Sequence, residues 1–168
     1  LTVRKANDDE LYPYELIAGE RRLRASVIAG LTTVPCVLHK CSDMDSAIFA
    51  LIENLQREDL SPIEEAQGFR KLMEDYGMTQ DEVANAVSKS RPAVANAIRL
   101  LELPAEIIAM VESGKLSAGH GRTLLPIKDR DEIVDIAEEI VEKELSVRQV
   151  EVMVKRILES GEKPEQAS

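Results

Sequence analysis

The sequence predicts an α+β protein: a small mixed α/β unit over residues 1–60, then an all-helical region that contains a helix-turn-helix. Three observations support this. Short apolar runs bounded by turn residues stand near the start, the apolar spacing becomes helical from residue 61 onward, and two capped helical segments joined by a short turn fill residues 79–101.

Residues 1–4 and 14–18 read as strands on either side of the turn-rich Asn7-Asp8-Asp9. Gly19 ends the second strand. Residues 20–29 fit a helix stopped by Gly30, 34–39 a third strand, and 43–55 a helix capped by Ser42. Ser61-Pro62-Ile63-Glu64 is a capping box with proline at the first helical position, so a helix runs from 62 to about 76 and ends at Gly77. Thr79-Gln80-Asp81-Glu82 is a second box that opens a short helix to 87. Ser88-Lys89-Ser90 then turns the chain, with Ser90 capping a helix over 91–101. Pro104 starts a helix ended by Gly114, and Ser117 caps one that stops before Pro126. Residues 129–144 and 146–159 are amphipathic, and 160–168 form a frayed tail. The resulting division is 1–60, 61–127, a helical extension over 128–160, and a tail over 161–168.

With 168 residues and 44% hydrophobic content, the chain can bury a sizeable core without disulfides. Its two cysteines, Cys36 and Cys41, match no zinc spacing and fit a reduced cytoplasmic setting. No apolar run is long enough to span a bilayer, and no membrane role is expected. The net charge of −10 argues against nucleic acid until its distribution is seen. Residues 84–101 contain Lys89, Arg91 and Arg99 with no carboxylate, and 114–128 contain Lys115, Arg122 and Lys128, again with none. The acids concentrate in 129–144, a solvated face expected to point away from DNA.

A strand that ends in glycine and turns straight into a helix leaves backbone N–H groups facing outward at the positive end of the helix dipole. Gly19 and Glu20 would suit a phosphate, and Arg21, Arg22 and Arg24 strengthen that reading, because guanidinium forks bind phosphate oxygens in pairs. The bland alternative is a solvated helix with an ordinary i,i+4 pair between Glu20 and Arg24. Near the end of the next helix, Glu53 and Arg57 share a face by i,i+4 spacing. Glu53 and Asn54 together suit a Mg²⁺ that keeps most of its waters and bridges phosphates.

In a helix-turn-helix the second helix enters the major groove with its N-terminal residues on base edges. Here those are Arg91, Ala93, Val94 and Ala97, with Arg91 the candidate for guanine. Lys89 and Ser90 would hold phosphates, and Asn96 and Arg99 could serve either role. A plain helical hairpin is the alternative. Gly119 and Gly121 beside His120 and Arg122 suggest a close neighbour, of which DNA is one, while His120 alone reads as a core or capping residue.

Five ordered segments carry a family signature: GERRLRA at 19–25, ENLQREDLSPIEEA at 53–66, TQDEVA at 79–84, KSRPAVANAIRLL at 89–101 and GKLSAGHGR at 114–122. Over nearly its whole length the chain closely resembles the ParB family of bacterial partition proteins. The resemblance implies a dimeric clamp that binds the palindromic centromere site parS and, with CTP and Mg²⁺, closes and slides onto non-specific DNA until CTP hydrolysis reopens it. Position by position, it implies that Gly19, Arg21 and Arg22 meet the triphosphate and that Glu20 supports hydrolysis. Glu53 and Asn54 would organise Mg²⁺ and phosphates, and Arg57 would stabilise the same loop. Lys89, Ser90, Arg91, Ala93, Asn96, Ala97 and Arg99 would read DNA, assisted by Gly119, His120 and Arg122. Further implied partners are a ParA-type ATPase and SMC/condensin, in a nucleoid-associated cytoplasmic setting.

Family members have, ahead of the position of Leu1, a Pro-Gln-Pro-Arg segment that helps bind the base and a basic peptide that stimulates the ATPase; downstream they have a Lys-rich dimerisation domain. None of these is in this sequence, so Leu1 is expected to lie inside a longer protein. Three rival readings stand beside this one. Nucleoid-occlusion paralogues share the architecture, but Arg91 and Gly119 favour the parS reader. A non-enzymatic DNA-binding adaptor is the second rival. The third is a small-molecule enzyme like sulfiredoxin or a serine kinase, but no cysteine lies beside the phosphate helix and the helix-turn-helix is foreign to both.

Overall fold

The computed structural model describes residues 1–6, 12–39, 42–57 and 59–160. The expected turn at residues 7–9, Cys41 and the tail over 161–168 lie outside the described residues. The first unit runs β1 (Thr2–Lys5), β2 (Tyr14–Ala18), α1 (Glu20–Ile28), β3 (Val37–His39) and α2 (Asp43–Leu55). Its sheet has the order β2-β1-β3, with β1 antiparallel to β2 and parallel to β3. Such a parallel pair needs a long crossover, here made through β2 and α1. β3 is shorter than expected because Pro35 has no N–H for a ladder. Its carbonyl instead accepts from the Leu1 backbone nitrogen at 3.0 Å, and pairing with β1 starts only at Val37.

Among the described residues seven α-helices follow: α3 (Pro62–Glu74), α4 (Gln80–Ala86), α5 (Arg91–Arg99), α6 (Ala105–Glu112), α7 (Ala118–Leu124), α8 (Arg130–Glu142) and α9 (Val147–Ser160). The expected start signals are made as hydrogen bonds. The Ser61 hydroxyl accepts from the Glu64 N–H at 3.1 Å while the Glu64 carboxylate accepts from the Ser61 N–H at 2.8 Å, and Thr79 with Glu82 repeats the exchange. The helix expected over 91–101 ends as α at Arg99 and tightens into a 3₁₀ turn, Leu100–Glu102. That turn buries Leu100 and Leu103 ahead of Pro104.

Two apolar clusters hold the helices. One joins Ile63, Leu100, Ile107, Leu116 and Leu124 to Ile136, Ile140 and Val150, so the 128–160 extension shares a core with the helices before it. The other gathers Phe69, Leu72, Val83 and Val94 around Leu55, with Ile48, Leu51 and Ile52 packed against it. α2 therefore belongs to both units: one side lies on β2, and the other plugs the helix-turn-helix.

These caps make stability pH-dependent. The Ser61 backbone N–H, then the Ser61 hydroxyl, hold the Glu64 carboxyl below its ordinary value of 4.5, and Thr79 does the same for Glu82. A carboxylate depressed by folding stabilises the fold fully above its unfolded value and loses that contribution as pH falls through the folded one. The melting temperature should therefore hold from pH 7 to about 5 and drop below about 4.5. Glu64→Gln with Glu82→Gln, which keeps the boxes but removes the titration, should flatten that drop in thermal melts. An unchanged acid limb would count against the caps as its source.

Candidate functional sites

β2 delivers the chain to Gly19, whose left-handed backbone (φ 107°, ψ 26°) turns it directly into α1. Glycine is needed there, since a Cβ would stand 3.0 Å from Leu1 Cδ2 and 3.1 Å from Arg22 Nη2. The same distance shows the Arg22 guanidinium folded back over the turn. No side chain caps the first-turn amides of α1, which also lack intrahelical acceptors. They belong to a cleft of about 680 Å³ lined by Leu16, Ile17 and Ala18 of β2, by Gly19, Glu20, Arg21 and Arg22, and by Glu53, Asn54 and Arg57 from the end of α2. Seven of the eight residues singled out for an anion and its metal, all but Arg24, thus meet in one cavity, of a size usual for small ligands. The packing of α2 on β2 brings the two distant motifs together.

The carboxylates and cations of the cleft are arranged as follows. Arg24 donates to Glu20 at 2.5 Å, so the expected i,i+4 pair exists, and Arg24 is turned to that partner rather than lining the cleft. The expected helical pairing of Glu53 with Arg57 is not made. α2 ends at Leu55 with Gln56 as its cap, and Arg57, already off the helix, donates from Nε and Nη2 to Asp59 at 3.0 and 2.7 Å. This fork raises Arg57 and lowers Asp59 from their ordinary pKa values. The sequence reading missed Asp59, because a two-residue spacing signals a pair only once the helix end is known. Among the described residues, no group of three or more His, Cys, Asp or Glu could hold a metal by itself. Glu53 and Asn54, with Glu20 in the same cleft, instead fit an ion that takes most of its ligands from water and phosphate.

In the helix-turn-helix, Ser88 takes φ 57° to reverse the chain between α4 and α5, and the Ser90 hydroxyl accepts from the Ala93 N–H. Arg91, Ala93, Asn96 and Arg99 are exposed on α5. Two expectations change. Val94 is fully buried under Phe69's cluster, and Ala97 is half-buried against it, so this side of α5 packs inward and the exposed four remain for a ligand. Lys89 is ion-paired with Glu65 of α3, and Arg91 lies 3.8 Å from Asp81 of α4. Both acids went unnoticed in the sequence, because their partners become neighbours only through tertiary packing.

On α7, Arg122 is exposed and His120 is a capping residue: its Nδ1 accepts from the Ser117 N–H at 3.3 Å while the Ser117 hydroxyl accepts from the His120 N–H. The glycines have an internal reason. A Cβ on Gly119 would stand 2.9 Å from Val147 of α9, and one on Gly121 3.0 Å from Leu100. Close helix packing, with no need of DNA, accounts for both.

Comparison with known proteins places these features in context. Residues 1–55 match the model of the ParB N-terminal domain, and residues 58–159 match that of the ParB HTH domain. The chain is 51% identical over 144 residues to the chromosome-partitioning protein Spo0J of Thermus thermophilus, covering 86% of this chain and 53% of that protein. It is 40% identical over 161 residues to a nucleoid occlusion protein of Bacillus thuringiensis, covering 96% and 54%. It thus spans about half the length of these curated relatives. Among solved structures, the C-terminally truncated chromosome-partitioning protein ParB of Caulobacter crescentus, complexed to the centromeric parS site, superposes with a TM-score of 0.84 at 41% identity, covering 92% of this chain and 81% of that one.

Proposed function

Because the chain belongs to the ParB family, we propose that it binds a parS-type centromere through its helix-turn-helix and takes CTP with Mg²⁺ in the cleft between α1 and α2. Nucleotide binding would close a homodimeric clamp that slides on DNA during chromosome or plasmid segregation. One observation carries the nucleotide half: two motifs more than thirty residues apart converge on a single cleft with uncapped helix amides, three guanidinium groups and two carboxylates. The solved relative bound to parS supports the DNA half, as do the exposed Arg91, Asn96 and Arg99 on α5.

In this reading the α1 amides, Arg21 and Arg22 hold the phosphates, and Gly19 lets the backbone approach them. Glu53 and Asn54 would hold Mg²⁺, which supplies charge neutralisation at the phosphates. Glu20, oriented by Arg24, would take the proton of the water that attacks the terminal phosphorus as its bond to the bridging oxygen breaks, giving CDP and phosphate. On α5, Arg91 would read a base edge while Lys89 and Ser90 hold the backbone. A ParA-type ATPase and SMC/condensin are the partners this function would serve, from a cytoplasmic, nucleoid-associated location; among the described residues no helix is long and apolar enough to cross a membrane. The relatives include nucleoid occlusion proteins.

The test is CTP binding and hydrolysis by the intact protein with and without a parS duplex. Stimulated turnover in the wild type, and retained binding without hydrolysis in Glu20→Ala, are the expected results. Binding of parS with no binding or turnover of CTP would leave a DNA-binding adaptor and call for another ligand in the cleft.

A further inference from the structure

Arg57 lines the cleft, whereas the residue that grips it, Asp59, does not. Past the cap of α2, Arg57 has no helix to fix its long side chain, and ordering such a side chain on binding carries an entropic cost. Asp59 removes that freedom beforehand by accepting from Nε at 3.0 Å and from Nη2 at 2.7 Å. A guanidinium has five N–H donors, so this grip leaves the Nη1 group and the second Nη2 hydrogen available. After Arg57, the charge of Arg21, which lines the same cleft, also helps hold the Asp59 carboxyl below its ordinary value. It stands in the short link between α2 and the Ser61 cap of α3, a position from which it reaches Arg57 without entering the cavity.

We propose that Asp59 is a positioning residue of the phosphate cleft, holding Arg57 by one edge so that its other donors are presented to an anion. This rests on the reading that the cleft takes a triphosphate. The opposite sign, in which Asp59 merely competes with the ligand for Arg57, is the weaker effect: its side chain is 68% exposed, so its repulsion of a phosphate is screened by water and salt. Loss of the fixed geometry is local and is not screened.

Calorimetric titration of the intact protein with inorganic tripolyphosphate, and separately with CTP, tests this. Asp59→Ala should weaken both ligands by about two- to fivefold, the scale of an exposed ion pair. Asp59→Glu should recover part of the loss. In an Arg57→Ala background, Asp59→Ala should have no further effect, because its role runs through that guanidinium. Unchanged or tighter binding by Asp59→Ala overturns the proposal, and so does an equal loss in the Arg57→Ala background. If the wild type binds tripolyphosphate but not CTP, the nucleotide reading falls while the role of Asp59 is decided on tripolyphosphate. Binding of neither overturns both.

Discussion

Arg22→Ala is expected to weaken CTP binding by about 10- to 150-fold, the effect of removing a charge-assisted phosphate contact, while parS binding is retained. Arg22 differs from the neighbouring Arg57 and Arg24 in where it is held. Arg57 has Asp59 and Arg24 has Glu20, whereas the Arg22 guanidinium lies over the left-handed turn at Gly19, beside the uncapped first turn of α1. Its fork and the first-turn amides would therefore converge on the same phosphate oxygens, and alanine removes one half of that arrangement. Gly19→Ala should have a comparable effect by a different route, since its Cβ would strain the φ of 107° and push against the same guanidinium. Equilibrium binding of CTP alongside parS affinity checks both. Wild-type nucleotide affinity in Arg22→Ala would remove the phosphate from this end of the cleft.

The second large effect is on stability. Phe69→Ala should destabilise the protein by about 3–5 kcal/mol, a large part of the roughly 5–15 kcal/mol that separates folded from unfolded domains. Phe69 is fully buried and packs with Leu72, Val83 and Val94, the residues that set α3, α4 and α5 against one another. The damage should not stop at the reader. Leu55 lies in the same cluster, and the neighbouring Gly68 allows so close an approach that a Cβ there would stand 2.3 Å from Leu55 Cδ2. Glu53 and Asn54 sit one helical turn or less before Leu55, so loosening this cluster should weaken DNA and nucleotide binding together. Denaturant unfolding followed by circular dichroism measures the loss, and a value under about 1 kcal/mol would mean that the cavity collapses and the cluster is not tightly packed.

What could be read from the sequence follows from how local each feature is. The starts of α2, α3, α4, α5 and α7 were legible because a serine or threonine and its partners three residues on make the cap themselves. The seven cleft residues were singled out by two short motifs and by the family resemblance those motifs carry, although only the packing of α2 on β2 could unite them. Features decided by tertiary neighbours were not. Val94 looked like a reader until Phe69's cluster claimed it, the partner of Arg57 depended on where α2 ends, and Gly119 and Gly121 answer to Val147 and Leu100, far away in sequence.

Three helices, α2, α3 and α4, close their N-terminal boxes with Asp45, Glu64 and Glu82. At α7 the same position is His120, and at α5 the cap is Ser90 with no box at all; neither helix has an acid in its first turn. An imidazole nitrogen satisfies the Ser117 N–H as a carboxylate would, but brings no negative charge to that end of the helix. The two helix starts whose residues were singled out for a polyanion thus carry no acid of their own. A glutamate at His120 would keep α7 folded and set a fixed like charge against each approaching phosphate, so a residue chosen for helix initiation also sets the electrostatic permission of that surface.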